Sequence, residues 1–324
     1  MKQKRLLGAM AIAGVALFNA GAACAQAFPA GPIKIIVPFT PGSATDILGR
    51  VTGEHLATVF GQPVIVENRV GAGGTIGIAL LAKAPPDGLT LGVVSTGHVV
   101  NPVLYANLAY DTIRDFAGVA PLANLPSVLI VPQSLGAKTV KELVAMAKAK
   151  PGALNFGTAG VGSAAHVNSE KFNFAADIKA VHIPFKGTPE ILSNTMGGQV
   201  QMAWVPLVSS VGALKDSRLT ALAVSTKVRS ATLPDVPTIA EAGFPGGQFD
   251  FWVGMLAPAK TPRDVVGRIN AEVNRSQQTP DVKARLAKLG ADSMPMTPEQ
   301  FDAYIQDEAN VLQKIMRAAG AKPN

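Results

Sequence analysis

Three groups of residues in the 324-residue chain could do chemistry, and each sits where a strand-like run gives way to a helix-like one. The first is Pro38-Phe39-Thr40-Pro41-Gly42-Ser43-Ala44-Thr45-Asp46. Pro38 and Pro41 lack amide donors and fix φ, so a strand must stop there, and Gly42 permits a backbone approach that a Cβ would block. Ser43 with Asp46 three residues later predicts a capping box at a helix start. The second group is Gly157-Thr158-Ala159-Gly160-Val161-Gly162-Ser163-Ala164-Ala165-His166, where Ser163 is a plausible N-cap. The third is Ser95-Thr96-Gly97-His98, again at a strand's carboxyl end. Free amides and the positive end of a helix at such turns make a site for an anion, most simply a carboxylate.

Other chemistries fit less well. Gly160-Val161-Gly162-Ser163-Ala164-Ala165 matches a loose dinucleotide fingerprint, but the next strand ends in Pro184-Phe185-Lys186 where a ribose-binding acid should stand. Ser163 and His166 could be nucleophile and base, although no G-x-S-x-G elbow or orienting acid accompanies them. Capping and hydrogen bonding are the competing reading. His55, His98, His166 and His182 are scattered without paired-ligand spacing, so no metal and no cofactor are expected. His55, on an apolar helix face, reads as a core residue. Asp46 and Glu67 are not a demonstrable acid/base pair.

The elements that must position these turns alternate between strand and helix from Phe28 onward, which predicts an α/β fold with largely parallel strands. Ile33 to Val37 is the first strand, and its helix carries Leu48, Val51, His55, Leu56 and Val59 on one face. Further strands are expected at Pro63–Glu67, Leu89–Val94, Ser127–Val131, Leu154–Phe156, Ala180–Pro184, Val200–Val205, Leu219–Ser225 and Met255–Pro258. Helices are expected over Ile76–Ala84, Lys138–Lys150, Pro262–Gln277, Asp281–Leu289 and Pro298–Ala319. Leu233 to Gly247, rich in proline and glycine, reads as a connection between domains.

Composition sets the address. Lys2, Lys4 and Arg5 precede the apolar run Leu6–Phe18, and small-x-small sites at Ala23–Ala25 and Ala25–Ala27 complete a secretory signal peptide over residues 1–27. Cys24 is the single cysteine. Gly21 stands where a lipoprotein signal wants a large aliphatic residue. Cleavage near Ala25 or Ala27 leaves no disulfide or thiolate site. Removing Lys2, Lys4 and Arg5 from the 29 basic residues leaves 26 against 22 acidic ones, a formal charge of +4. That excess is spread along the chain and forms no nucleic-acid stripe.

The mature chain closely resembles the Bug family, the periplasmic substrate-binding proteins of tripartite tricarboxylate transporters. The matching residues include Val37-Pro38-Phe39, Pro41-Gly42, Asp46, Asn68-Arg69, Gly71 to Gly74, Pro86-Asp87-Gly88, Asn101-Pro102 and Tyr105. Tyr110-Asp111, Asp115-Phe116, Gly160, Gly162-Ser163, His166, Lys186-Gly187, Gly197 to Val200, Leu233 to Thr238 and Glu241 to Gly243 also fit. The resemblance implies a two-lobed periplasmic binding protein of type II, a Venus flytrap in which each lobe is a mixed sheet flanked by helices. It places lobe 1 at residues 28–125 plus 247–324 and lobe 2 at 126–246, with crossings near Leu125 and Gly247. The implied first-lobe site is Phe39, Pro41, Gly42, Ser43, Ala44 and Asp46, joined by Ser95, Thr96 and His98. The second lobe would contribute Thr158, Ala159, Gly160, Gly162, Ser163 and His166, with Pro184, Phe185 and Lys186 behind.

Two departures stand out. Ser43 replaces the family's usual second glycine, and Trp204-Val205-Pro206 stands where many relatives carry a polar pair after an aromatic residue. If Trp204 and Val205 line the cleft, a ligand ammonium would find no partner there. The implied function is a monomeric periplasmic receptor for a small organic carboxylate, partnered by the membrane subunits of a tripartite tricarboxylate transporter and performing no covalent chemistry. An exported enzyme using Ser163 and His166, and a sensory receptor for a membrane kinase, are the alternatives.

Overall fold

A computed structural model describes residues 28–288, 290–318, 321 and 323. The expected signal peptide lies outside the described residues. Two five-stranded mixed sheets form the frame, in the orders β2-β1-β3-β10-β4 and β7-β6-β8-β5-β9.

The first sheet holds β1 (Ile33–Val37), β2 (Val64–Asn68), β3 (Thr90–Ser95), β4 (Phe116–Leu125) and β10 (Phe251–Pro258). The β-branched run of β1 is buried on both faces at Ile35, Ile36 and Val37, as a strand covered by helices on each side requires. β1 runs parallel to β2 and β3, whereas β10 is antiparallel to β3 and β4. Helices α1 (Ala44–Phe60) and α2 (Thr75–Ala82) follow β1 and β2, and α6 (Arg263–Gln278), α7 (Pro280–Lys288) and α8 (Pro298–Ala318) complete the layer. The second sheet holds β5 (Ser127–Pro132), β6 (Asn155–Thr158), β7 (Val181–Pro184), β8 (Met202–Pro206) and β9 (Leu219–Val224). Here β6 is parallel to β7 and β8, and β5 is antiparallel to β8 and β9. Its helices are α3 (Val140–Ala149), α4 (Ala164–Ala176) and α5 (Thr188–Met196).

Both sheets are mixed, as the resemblance implies, and largely parallel: four strands run one way and a single strand, β10 in the first sheet and β5 in the second, runs against them. Two further points go beyond the sequence. The ten-residue β4 is an element that strand patterning did not reveal. Gly118 and Pro121 interrupt its sequence, and Pro121 is tolerated beside a register shift against Val253 and Gly254. Second, Leu233–Gly247 lies on the return path from β9 to β10, but it packs on the second sheet. Ile239 is fully buried in the second sheet's core, Ile239 N–H donates to Val224 O at 2.8 Å, and Phe244 packs edge-on to Phe172.

The chain passes from the first sheet to the second through Pro126 and returns between Val224 and Phe251. The two crossings are tied together: Ser127 N–H donates to Ser225 Oγ at 3.1 Å, Ser225 N–H to Ser127 O at 2.8 Å, and Phe249 N–H to Ser225 O at 3.0 Å. Among the described residues no helix is long and apolar enough to cross a membrane.

Candidate functional site

The carboxyl end of β1 stops at Pro38, and the turn 38–43 delivers the chain into α1 with Gly42 at φ +82°. Ser43 is the N-cap residue but its side chain makes no capping bond. The expected capping box is therefore absent. Asp46 instead reaches back to the turn: Gly42 N–H donates to its Oδ2 at 2.9 Å. Its Oδ1 accepts from Arg50 Nε at 3.0 Å and Asn68 Nδ2 at 2.9 Å, while the Asn68 amide also donates to Phe39 O at 2.9 Å. Burial alone would raise the Asp46 pKa, but hydrogen bonds from Arg50, Gly42 and Asn68 outweigh it and hold the carboxyl below its ordinary range. Asp46 is thus spent on shaping the turn. Without a side-chain cap, Ala44 and Thr45 keep amide donors that the helix itself cannot use.

The second lobe repeats the arrangement with different groups. Gly162 has φ +78°, Ser163 Oγ accepts from His166 N–H at 3.3 Å, and His166 Nδ1 accepts from Gly162 N–H at 3.3 Å. Ala164 and Ala165 open α4 with unclaimed amides. Burial, with the neighbouring His182 second, pushes the His166 imidazole down to about 3. The His166 and His182 ring centroids are 4.5 Å apart. The His166 ring turns to Gly162 and towards Glu170 Oε1, 3.7 Å from its Nε2, so Ser163 Oγ meets the His166 backbone and not its imidazole. A nucleophile–base pair requires the opposite.

These two helix starts face one pocket between the sheets. It is lined by Phe39, Ser43, Ala44, Thr45, Ser95, Ala159, Ser163, Ala164, Ala165, Thr188, Pro206 and Phe251. No ionisable side chain appears among them. Phe39 and Ala159 also line a wider outer chamber of about 300 Å³, walled by Val70–Gly74, Tyr105, Gly160, Val161 and Pro184-Phe185-Lys186. Lys186 is the single ionisable amine in that wall.

The lobes meet at very short range around these cavities. A Cβ on Gly97 would lie 2.2 Å from Gly162 O, and one on Gly187 would lie 2.0 Å from Thr40 Oγ1. Tyr105 Oη is placed 2.8 Å from both Ala72 O and Val161 O, bridging first-lobe and second-lobe backbone.

Of the residues singled out from sequence, Phe39, Ser43, Ala44, Ser95, Ala159 and Ser163 reach the inner pocket, and Gly160, Pro184, Phe185 and Lys186 reach the outer chamber. Pro41, Gly42, Asp46, Gly162 and His166 shape the turns behind these walls. Thr96 is fully buried, its Oγ1 accepting from Trp252 N–H at 2.9 Å. His98 lies beneath the first-lobe turn, stacked on Tyr110 with its Nε2 3.0 Å from Thr112 O, and burial pushes its imidazole down to about 4. Thr158 is fully buried, and its Oγ1 accepts Gly160 N–H at 3.2 Å.

Trp204 and Val205 need correction. Alternation along β8 sends Trp204 into one core layer, edge-on to Phe172 at 5.9 Å, and Val205 into the other. Only Pro206, at the strand's end, touches the pocket. Thr45, Ala164, Ala165, Thr188 and Phe251 were missed. Thr45, Ala164 and Ala165 sit one or two residues past the caps at helix starts legible in the sequence, whereas Thr188 and Phe251 come from distant elements, α5 and β10, and carry no local signal.

Comparison with known proteins identifies the family and the fold. Residues 48–321 match the family described as tripartite tricarboxylate transporter family receptor. A Pseudomonas sp. protein encoded in the tcbD-tcbE intergenic region is 38% identical over 97% of this chain and 94% of its own length. BugT of Bordetella pertussis is 33% identical over 99% of both. Among solved structures, an R. palustris protein with adipate superposes with a TM-score of 0.88 at 30% identity, covering 92% of this chain and 100% of that one. MatC from Rhodopseudomonas palustris with bound malate gives 0.85 at 33%, covering 89% and 99%.

Proposed function

The chain belongs to the tripartite tricarboxylate transporter receptor family, and from that premise we propose that it is a periplasmic receptor that closes two lobes on a small carboxylate. One observation carries the reading. Two helix amino termini with unclaimed amides face a single pocket that has no ionisable side chain in its wall. Such a pocket offers an anion several neutral donors and two favourable dipole ends, and offers a cation no carboxylate. The adipate and malate bound by structural relatives belong to the same chemical class.

In this reading the carboxylate sits between Ala44-Thr45 and Ala164-Ala165, under Phe39, Ser43, Ser95, Ala159 and Ser163. The rest of the ligand passes Phe39 and Ala159 into the outer chamber, where Lys186 and the backbone of Gly160 and Phe185 are available. The lobes are residues 28–125 with 247–324, and 126–246. The receptor acts as a monomer after removal of residues 1–27 in the periplasm, and delivers its ligand unchanged to the membrane subunits of the transporter. Binding energy is used only to favour the closed arrangement.

The test is to denature freshly purified protein, identify released small acids by mass spectrometry, and titrate those acids back into refolded protein by calorimetry. A retained carboxylate that rebinds saturably and is recovered unaltered supports the reading. Conversion of the acid to another compound, or release of a non-acidic ligand, overturns it.

A further inference from the structure

Thr45 stands apart among the residues of the inner pocket. It is the second residue of α1 and only 2% exposed, and it lines the pocket. Its hydroxyl has no hydrogen-bond partner. Of the hydroxyls that line this pocket, only that of Thr45 is both buried and unpartnered, and those of the two N-cap serines are engaged. Ser43 Oγ lies 3.4 Å from Thr40 Oγ1 and accepts from Thr188 N–H at 3.4 Å, and Ser163 Oγ caps α4. A buried hydroxyl is ordinarily paired, and one without a partner at the mouth of a ligand pocket marks a place where a ligand atom belongs.

We propose that Thr45 is a specificity-determining ligand contact, its hydroxyl donating to a carboxylate oxygen that the Ala44 and Thr45 backbone amides also face. The ligand's buried end is then a carboxylate on a carbon that bears no ammonium group. Every polar group offered near that end is a neutral donor or a hydroxyl, and the one nearby acid, Asp46, is committed to Gly42, Arg50 and Asn68. An ammonium placed there would be desolvated beside two positive helix ends with only neutral hydroxyl oxygens to accept from it and no carboxylate to balance its charge. This inference rests on the receptor reading and narrows it to unsubstituted or hydroxylated carboxylates, with a single side chain enforcing the grip.

The experiment is calorimetry on the full mature chain with succinate, malate, glutarate and adipate, and with aspartate and glutamate as amino counterparts. The variants are Thr45→Val, which keeps the shape and removes the hydroxyl, and Thr45→Ser, which keeps the hydroxyl. The parent is expected to bind at least one of the four acids and to prefer succinate over aspartate and glutarate over glutamate. Thr45→Val should weaken the best-bound acid by roughly 10-fold or more. Thr45→Ser should stay within about fivefold of the parent, and the unliganded Val variant should melt no lower than the parent. Unchanged binding by Thr45→Val overturns the proposal and leaves the receptor reading intact. Equal loss in the Val and Ser variants marks a packing role and also overturns it. Tighter binding of both amino acids refutes the ligand class. Failure of the parent to bind any of the six probes overturns this inference, while the receptor reading stands or falls with the acid recovered by mass spectrometry.

Discussion

The turn before α1 and the turn before α4 do the same job with opposite electrostatics. Each has a glycine at positive φ whose amide is closed by the side chain four residues later: Gly42 by Asp46, Gly162 by His166. In the first lobe that side chain is a carboxylate neutralised by Arg50; in the second it is an imidazole held neutral by burial. Only the second turn also has a serine cap. The comparison teaches that the fold asks for an acceptor at this place and is indifferent to its charge, provided a second group cancels the charge. Glycine-plus-four is therefore a structural staple in both lobes. It leaves recognition to the amides one and two residues beyond the cap.

The largest effect should come from adding one carbon to each turn. At Gly42 an added Cβ meets nothing closer than Pro189 Cγ at 3.5 Å, so Gly42→Ala carries only the backbone strain of positive φ, about 1–2 kcal/mol. At Gly162 the same Cβ would lie 2.4 Å from Asn101 Oδ1, which belongs to the other lobe. Gly162→Ala should thus weaken carboxylate binding by roughly a hundredfold beyond Gly42→Ala, a further loss of about 2.7 kcal/mol in closure. Calorimetry of the two variants side by side measures the difference. Equal losses would mean that the two turns do not differ in how they meet the opposite lobe.

Acid should separate the turns next. Burial holds His166 at about 3 and His98 at about 4, both below the ordinary value of 6.5. Below pH 6.5 the unfolded chain therefore binds protons that the folded chain refuses, and stability falls as pH falls, by up to about 1.4 kcal/mol per histidine per pH unit. Asp46 behaves otherwise. Its folded pKa lies below the unfolded 3.8, so its contribution is present above that value and is lost only as pH falls through the folded one. Hydrogen exchange at pH 7 and pH 5 should show protection falling more over 158–166, where His166 and His182 are both held neutral, than over 38–46, which has His98 alone beneath it, and the melting temperature of His166→Gln should depend less on pH than the parent's. Equal loss at both turns would refute the distinction.

The smallest effect distinguishes the two serines. Ser163→Ala removes a real cap and should cost about 1 kcal/mol, whereas Ser43→Ala should change stability by less than about 0.5 kcal/mol. Urea unfolding of both variants provides the numbers. A larger cost at Ser43 would show that its 3.4 Å contacts to Thr40 and Thr188 hold the closed lobes together.

The places where sequence was informative are those where backbone chemistry alone decides. Pro38, Pro41 and Gly42, and again Gly160 and Gly162, mark turns because no other residue types hold those conformations cheaply. Their position at strand ends pointed to the pocket where the two helix starts meet. Reasoning from sequence went astray where the answer depended on a distant partner. Asp46 read as a cap because Arg50, Asn68 and Gly42 cannot be seen converging on it in one dimension. Trp204 and Val205 read as cleft residues because nothing local says that β8 has a packed layer on each face. β4 hid behind Gly118 and Pro121, whose tolerance depends on its pairing with β10.

The seam where the lobes touch through Gly97 and Gly187 has an evolutionary consequence. Every replacement of a glycine adds volume, and here the nearest atoms are 2.2 Å and 2.0 Å from where that volume would go. The seam can be broken by mutation but not adjusted by it. Under the receptor reading, new ligand preferences in descendants of this chain arise away from the seam, in the outer chamber, where Val70, Val161, Phe185 and Lys186 can change size or charge while the two helix starts are inherited intact.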